Sequence, residues 1–239
     1  MNKTSIEWTE NTWNPITGCS KISDGCKNCY AKTMSKRLKA MKNPRYLNGF
    51  NVTIHKDLFD TPLKKKKSQI IFVCSMGDLF HEDVPFSIVD EIFDVMEKAS
   101  WHIFQVLTKR SARLKEYSTQ RKIPSNVWVG VSIENNKVAF RLDDLKKTTA
   151  QTKFISAEPL LGSLNELDFN GIDWVVVGGE SGHKSRPIKK EWVIEIKDKC
   201  EKDKIKFFFK QWGGFHKKKN GRLLDGKVYD EMPTLSLQT

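Results

Sequence analysis

The sequence predicts an α/β protein in which a parallel sheet is covered by helices on its outer face. Short segments that are apolar throughout, such as residues 70–74 and 174–177, alternate with amphipathic helical segments such as residues 85–99. Parallel strands are buried on both faces, so they are typically apolar throughout. We count six or seven such strands, which is too few for a closed eight-stranded barrel. The pattern therefore leaves a partial (β/α)6 TIM-like barrel or an open α/β sheet.

The composition indicates one domain with a substantial core. The chain has 239 residues, of which 38% are hydrophobic and 29% are charged. No apolar run approaches the roughly 20 residues of a membrane helix, and the N-terminus lacks the apolar core of a signal peptide. We therefore expect a cytoplasmic protein without a membrane segment. Within the single domain we expect three parts, an N-terminal strand, loop and basic helix (1–50), a barrel (51–214) and a C-terminal tail (215–239).

Taken in order, the elements begin with residues 6–15, whose alternating apolar and polar residues indicate a strand or extended segment. Residues 31–43 follow as an amphipathic helix, with Met34, Leu38 and Met41 on the apolar face and lysines opposite. A short strand fits at 52–54. The remaining strands are predicted at 70–74, 103–107, 127–133, 154–156, 174–177 and 205–209, and the remaining helices at 85–99, 112–118, 137–147 and 191–200.

Positive charge is concentrated in one part of the chain. The net charge is +12, and residues 31–67 hold eleven Lys and Arg against two acids, a local balance of 11 − 2 = +9. A field of this sign attracts polyanions, so DNA or RNA is the expected partner. The alternative is a lysine-rich surface that is only solvated.

Charged and small residues follow each predicted strand. They include Asp78, Lys109, Glu134, Glu158 and the run Gly178-Gly179-Glu180. Active sites of barrel and open α/β enzymes are built from the loops at the carboxyl ends of strands. An enzyme is therefore favoured over a passive binding protein, although loops are polar in most proteins.

Three of the five cysteines, Cys19, Cys26 and Cys29, fall within eleven residues with the spacing C-x6-C-x2-C. Gly18 and Gly25 are expected to supply the unusual backbone angles that such a loop needs. Three thiolates without a fourth protein ligand fit a [4Fe–4S] cluster with one open iron, whereas structural zinc is usually closed by four ligands. A zinc site completed by a distant group, and cysteines that bind nothing, remain open. Cys74 and Cys200 are expected to be core or surface residues rather than ligands.

Several motifs occur in one order along the chain, at residues 5–9, 13–15, 18–30, 75–82, 104–110, 158–162, 178–182 and 209–214. Together they resemble a family of phage and bacterial proteins of unknown function that is similar to radical S-adenosylmethionine (SAM) enzymes, with spore photoproduct lyase among its relatives. Most radical SAM enzymes carry C-x3-C-x2-C, whereas here the first gap has six residues.

The resemblance implies a partial barrel of the radical SAM type, a [4Fe–4S] cluster on Cys19, Cys26 and Cys29, and SAM at the open iron. The protein would generate a 5′-deoxyadenosyl radical that acts on a nucleic acid or nucleotide. An external electron donor such as flavodoxin or ferredoxin is implied, and a further partner protein is left open. Eight residues are expected to contact SAM or shield the cluster, namely Tyr30, Asp78, Lys109, Ser132, Glu134, Glu158, Gly178 and Gly179.

Two other functions remain as alternatives. One is a zinc-stabilised nucleic-acid-binding protein without enzymatic activity. The other is an iron–sulfur electron carrier or redox sensor, which would leave the charged strand ends without a purpose.

Overall fold

The fold is seen in a computed structural model that describes residues 2–4 and 6–234. Its main sheet has eight strands in the order β1-β2-β5-β6-β7-β8-β9-β10. These strands are β1 (Asn2–Lys3), β2 (Asn11–Trp13), β5 (Ile70–Val73), β6 (Ile103–Thr108), β7 (Val127–Ser132), β8 (Lys153–Ala157), β9 (Trp174–Gly178) and β10 (Lys206–Gln211). Two further strands, β3 (Ile16–Thr17) and β4 (Thr53–Ile54), form a separate antiparallel pair.

The seven strands from β2 to β10 in this sheet are parallel, and only β1 joins antiparallel at the edge. The parallel strands curl into a half-barrel, which confirms the predicted fold class. Their carboxyl ends therefore meet at one rim, as the strand-end argument requires. The predicted strand at 52–54 corresponds to β4, which pairs with β3 outside the main sheet.

Four helices cover the convex face of the half-barrel, namely α2 (Phe86–Lys98), α3 (Ser111–Gln120), α4 (Phe140–Lys146) and α5 (Lys190–Lys202). The described chain also forms α1 (Tyr30–Ala40) and the short α6 (Lys217–Asn220). The largest core cluster lies between sheet and helices. In it Val73, Val129 and Val175 of the strands pack with helical residues such as Ile92 and Ile196. The i, i+3, i+4 apolar spacing of α2 and α5 makes this burial possible.

An aromatic cluster fills the lower part of the concave face. Trp8 is 3% exposed, and its ring lies 4.8 Å from that of Phe72 and 5.8 Å from that of Trp174. Trp128, Phe154 and Phe208 are its other aromatic members. These side chains alternate along the strands with those of the outer core, as the two-residue period of a strand requires. The inner face is therefore closed by rings at the amino ends of the strands.

The N-terminal strand is shorter than predicted. Only Asn11–Trp13 joins the parallel sheet, because the chain turns before it and inserts Trp8 into the aromatic cluster. The Trp8 carbonyl accepts a hydrogen bond from Nε2 of Gln105, which fixes that turn on the inner face.

Helix α1 forms where predicted but buries a different face. Its buried residues are Ala31 and Ser35, whereas Met34 is 41% and Met41 75% exposed. The expectation that Met34 and Met41 face the core is therefore wrong. The small side chains of Ala31 and Ser35 let the helix lie close to its neighbours, Tyr46 and Met76 among them.

The predicted C-terminal tail packs along the edge of the sheet as far as it is described. The Tyr229 carbonyl accepts from the amide of Phe209, and the Glu231 carbonyl accepts from Nε1 of Trp174. Residues 235–239 of that tail lie outside the described ranges. Within those ranges, no helix has both the length and the apolar composition that crossing a membrane requires.

Candidate active site at the carboxyl rim of the half-barrel

The loop that carries the three cysteines leaves the sheet at the carboxyl end of β2. Gly18 begins it with a φ of +89°, and a Cβ there would lie 2.2 Å from the carbonyl oxygen of Asn51. Its amide donates to the Met76 carbonyl over 2.9 Å, and the Cys19 amide donates to Phe50 over 3.1 Å. The predicted special role of Gly18 is confirmed, because only glycine combines this φ with such close contact.

The middle of the loop rests on the end of β7. Ser23 donates a 2.5 Å hydrogen bond to Oε1 of Glu134, and Arg141 donates to Oε2 over 2.9 Å. A Cβ on Gly25 would lie 2.2 Å from Oε1 of Glu134. Gly25 does not have a positive φ, so the prediction of an unusual backbone angle there is wrong. Glycine is needed at this position because the loop backbone approaches the Glu134 side chain closely.

Arg110, at the end of β6, holds the start of the loop. Its guanidinium donates to Sγ of Cys19 over 3.3 Å and to Oγ of Ser20 over 2.8 Å. The same group pairs with Asp78 at 3.2 Å and with Glu82 at 2.9 Å. A cation with five fixed donors is suited to link a sulfur, a hydroxyl and two carboxylates.

The end of the loop is joined to the segment after β9. Nδ2 of Asn28 donates to Oε2 of Glu180 over 2.9 Å, and Arg186 pairs with Oε1 of Glu180 at 2.5 Å. Arg186 also donates to the Asp24 carbonyl over 3.0 Å. Burial raises the pKa of Glu180, but the hydrogen bonds from Arg186 and Asn28 outweigh it, so the net pKa is lowered. Glu180 is therefore a charged anchor for the loop.

The three loop cysteines differ from the other two in exposure. Cys19, Cys26 and Cys29 are partly exposed free thiols, whereas Cys74 and Cys200 are buried. Of the two places predicted for Cys74 and Cys200, core or surface, the structure shows the core. Burial raises the pKa of the Cys19 thiol to about 11, an effect that Asp78 increases and Arg110 opposes. Within residues 2–4 and 6–234, no three Cys, His, Asp or Glu side chains converge on a point where they could hold a single metal ion.

Polar side chains line the half-barrel above the aromatic cluster. Ser132 and Ser156 are register partners on neighbouring strands and are both almost fully buried. Glu158 lies two residues after Ser156, toward the carboxyl rim. Its Oε1 is 2.9 Å from Nζ of Lys210. A Cβ on Gly178 would lie 2.7 Å from the same Oε1 atom. The concave face thus changes from aromatic to polar and charged toward the carboxyl rim.

Three more predicted residues lie at this rim. Nζ of Lys109 is 3.9 Å from Oε1 of Glu134. The hydroxyl of Tyr30 donates to the Ser75 carbonyl, while the residue as a whole is 56% exposed. Gly179 packs against the Trp212 carbonyl, and its own carbonyl accepts from Nε2 of Gln211 over 2.8 Å.

Both carboxylate oxygens of Asp78 accept hydrogen bonds from neighbouring groups of the protein. Its Oδ1 accepts from the Phe80 amide and the Thr108 hydroxyl, and its Oδ2 accepts from the Lys109 amide and Arg110. Both oxygens therefore have two protein donors. These contacts fix the end of β6 and the orientation of Arg110, so contact between Asp78 and SAM stays a prediction that the geometry does not favour.

Sequence reasoning missed the residues that hold the loop in place. Arg110, Ser23, Asn28 and Arg186 were not singled out, although Arg110 stands next to the predicted Lys109. The sequence feature that could have indicated Arg110 is its position just after an apolar strand. What it pairs with depends on loops that are distant in sequence.

A cleft of about 540 Å³ lies on the outer side of the cysteine loop. Its lining includes Asp24, Arg186 and Lys137. None of the eight residues predicted to contact SAM lines it, so this cleft is separate from the polar interior.

A half-barrel of parallel strands with a cysteine loop across its carboxyl rim has the architecture of the radical SAM-like partial barrels. The chain belongs to the family described as "protein of unknown function (DUF5131)", whose model matches residues 3–233.

Solved structures of spore photoproduct lyase are similar in fold. A cysteine-to-serine mutant of that enzyme aligns over 84% of this chain and 63% of its own, with 14% identity and a TM-score of 0.53. A complex with dinucleoside spore photoproduct aligns over 78% of this chain and 59% of its own, with 13% identity and a TM-score of 0.49. The chain thus spans about three fifths of that enzyme's length. No curated protein matches the sequence.

Proposed function

We propose that this protein is a radical SAM enzyme that acts on a nucleic acid or nucleotide. In this proposal Cys19, Cys26 and Cys29 hold a [4Fe–4S] cluster. The observation that carries it is the position of the cysteine loop, which is fastened across the carboxyl ends of β6, β7 and β9 by Arg110, Glu134 and Glu180. Strand-end loops are where barrel proteins assemble their active sites.

The donor set fits a cluster better than a single metal ion. Four ligands of tetrahedral zinc meet at one ion with bonds of about 2.3 Å, so their sulfurs must lie close together. In a cubane each thiolate binds a different iron, so the sulfurs are spread more widely. Three partly exposed free thiols that do not converge on one point among the described residues are compatible with the second arrangement. The Arg110 guanidinium beside Sγ of Cys19 favours the thiolate that iron needs.

When bound, the cluster and SAM together would supply a carbon-centred radical that abstracts a hydrogen atom from the substrate. The residues of the chain then have the task of orientation. We assign to Lys109 the pairing with the carboxylate of SAM, and to Ser132 a hydrogen bond to its ribose.

Glu134 is fully buried and both its oxygens already accept from Ser23 and Arg141, so its part is to hold the loop in place, and direct contact with SAM stays a prediction that the geometry does not favour. Gly178 and Gly179 let the Glu158 carboxylate and the Trp212 carbonyl lie close to the backbone, and so hold these two groups at the rim. Tyr30 shields the cysteine loop from the solvent side.

The polar interior also suits the reacting part of the substrate. Glu158 and Lys210 form an ion pair whose side chains are 15% and 18% exposed, directly above the buried Ser156. A nucleobase with adjacent carbonyl and N–H groups could accept from Lys210 at its carbonyl oxygen and donate from its N–H to Glu158 at this depth. The aromatic cluster below excludes water from the amino end of the half-barrel.

Two features support a nucleic-acid substrate. The net charge of +12 favours polyanions. At the rim after β9 and β10, the 61% exposed ring of Phe215 lies 5.0 Å from His183 and 4.5 Å from His216, which offers a platform for base stacking.

The experiment is anaerobic reconstitution with iron and sulfide, followed by reduction with dithionite in the presence of SAM. We expect a brown protein with about four irons per chain, and formation of 5′-deoxyadenosine that increases when DNA or RNA is added. Cys26→Ala should abolish colour and product, whereas Cys200→Ala, in the core of the same fold, should retain both. A colourless protein with stoichiometric zinc, or product formation by Cys26→Ala, would contradict the proposal.

A further inference from the structure

Helix α1 exposes an apolar stripe that no described residue covers. Tyr30, Met34, Arg37 and Met41 lie on one side of the helix because their spacing is i, i+4, i+7 and i+11. Tyr30, Met34 and Met41 are 56%, 41% and 75% exposed. Exposed methionines on one helix face are unusual for a surface in contact only with water, and they are common where a protein binds a partner.

The adjoining side of α1 is basic. Lys32, Lys36 and Lys39 follow the same i, i+4, i+7 spacing and are all exposed. Among the described residues none of the three forms an ion pair within 4.0 Å, whereas Arg45 and Lys56 of the same basic segment pair with Asp57 and Glu91. The uncompensated charge of residues 31–67 is therefore concentrated on α1 and on Lys64–Lys67.

This helix also begins at the candidate cluster. Cys29 is the residue that precedes the first turn of α1, and Tyr30 is its first residue. A protein bound on the exposed side of α1 would lie within a few residues of Cys29. It would approach from outside the half-barrel, so the rim would stay free for substrate.

We propose that the exposed side of α1 is the docking surface for an acidic electron-transfer protein that donates one electron. This inference rests on the proposed function, because only a redox centre needs such a donor. The donor is a reduced flavodoxin or ferredoxin type of protein, which loses one electron while the loaded enzyme gains one.

The surface fits a protein better than it fits a nucleic acid. A protein interface combines an apolar area rich in Met and Tyr with charged residues around it. Nucleic-acid surfaces instead distribute Lys and Arg along the backbone path and stack bases on planar rings. Methionines offer neither a phosphate contact nor a stacking plane, so the exposed side chains of Met34 and Met41 would be unused by DNA or RNA. Complementary charge would speed association with an acidic protein.

The first test measures binding directly and needs no catalysis. An acidic bacterial flavodoxin is titrated onto the purified protein at low and high ionic strength by biolayer interferometry. We expect Lys32→Glu with Lys36→Glu to raise Kd about tenfold at low salt and to remove most of the salt dependence. Met34→Ser with Met41→Ser should raise Kd without changing the salt dependence. Neither pair replaces a buried side chain, so the fold is retained.

The matched control is Lys147→Glu with Lys202→Glu. These lysines are exposed and lie at the C-terminal ends of α4 and α5. A helix that connects two parallel strands runs back along the sheet, so these ends lie toward the amino ends of the strands, away from the rim that carries the cysteines. The control changes the net charge by the same amount, so it should leave Kd unchanged within about twofold if docking is local. An equal effect of the control, or no effect of the α1 variants, would overturn the proposal.

The second test separates this inference from the proposed function. With dithionite as electron source, all variants should form 5′-deoxyadenosine at the wild-type rate, because a small reductant needs no docking surface. With reduced flavodoxin, the α1 variants should lose about tenfold in rate at subsaturating donor. Failure of the wild type with dithionite refutes the proposed function, whereas equal flavodoxin-driven rates refute the docking surface. If the α1 variants instead weaken binding of a single-stranded oligonucleotide and leave flavodoxin binding intact, α1 is a nucleic-acid surface and the proposal is wrong.

Discussion

Ser23 donates a hydrogen bond to Oε1 of Glu134 over 2.5 Å, although 111 residues separate the two in sequence. This contact joins the cysteine loop to the end of β7. Glu134 is fully buried and also pairs with Arg141, whose side chain is 2% exposed. The position of the loop and the integrity of the half-barrel therefore depend on the same carboxylate.

Replacing Glu134 by Ala should lower the free energy of unfolding by about 3–5 kcal/mol, because it leaves the buried guanidinium of Arg141 without its counter-charge. Urea unfolding followed by circular dichroism measures the change. Glu201→Ala is the control, since it removes the exposed pair of Glu201 with Lys197 on α5 and should cost less than about 0.5 kcal/mol. Equal losses in the two variants would show that Arg141 is not held by Glu134.

Gly25→Ala should displace the cysteine loop from β7. The added Cβ would lie 2.2 Å from Oε1 and 2.5 Å from Cγ of Glu134, and overpacking of this kind costs about 1–3 kcal/mol. We expect faster tryptic cleavage at Lys21 and Lys27, together with reduced iron loading.

The control for this loop variant is Gly162→Ala. Its Cβ would meet Asn135 at 3.3 Å, a contact that a small shift relieves. Wild-type cleavage rates in Gly25→Ala would mean that the loop does not rest on Glu134.

Stability should fall as the pH drops below about 6.5, in part because of His102. His102 is fully buried, its Nε2 is 3.2 Å from the Pro62 carbonyl oxygen, and burial lowers its pKa from 6.5. Below pH 6.5 the unfolded chain binds a proton that the folded protein does not bind. A group of this kind contributes a slope of up to about 1.4 kcal/mol per pH unit.

In His102→Phe the free energy of unfolding should fall less steeply below pH 6.5, because phenylalanine cannot be protonated. Urea unfolding at pH 7.5 and pH 5.5 gives the two free energies to compare. His55 and His81 also have lowered pKa values because of burial, so part of the pH dependence should remain. An unchanged difference between the two pH values would exclude His102 as a contributor.

Trp8→Ala should be among the most destabilising single changes in the chain. Trp8 packs on Phe72, Phe154 and Trp174 inside the half-barrel, and loss of a buried aromatic side chain costs about 3–5 kcal/mol. Thermal unfolding by calorimetry should show a Tm lowered by roughly 10 °C. Phe215→Ala removes a ring that is 61% exposed and should change Tm little. Comparable Tm shifts in the two variants would contradict a stabilising role of the aromatic cluster.

The sequence was sufficient to predict the class of fold and the residues that mark the rim. Continuous apolar runs such as Ile70–Val73 occur because both faces of a parallel strand are covered. The loop cysteines and the polar residues after each strand are equally visible, because their spacing and position are local properties.

The tertiary structure decided which side chains meet. Met34 and Met41 have helical spacing, but it was the fit of Ala31 and Ser35 against Tyr46 and Met76 that left the methionines exposed. Likewise, Asp78 and Arg110 stand at successive strand ends, and only the folded chain pairs them with each other and with Cys19. Periodicity fixes the direction in which a residue points on its own element. Packing volume and the pairing of buried charges depend on elements far away in the chain, and those are settled only when the whole half-barrel is assembled.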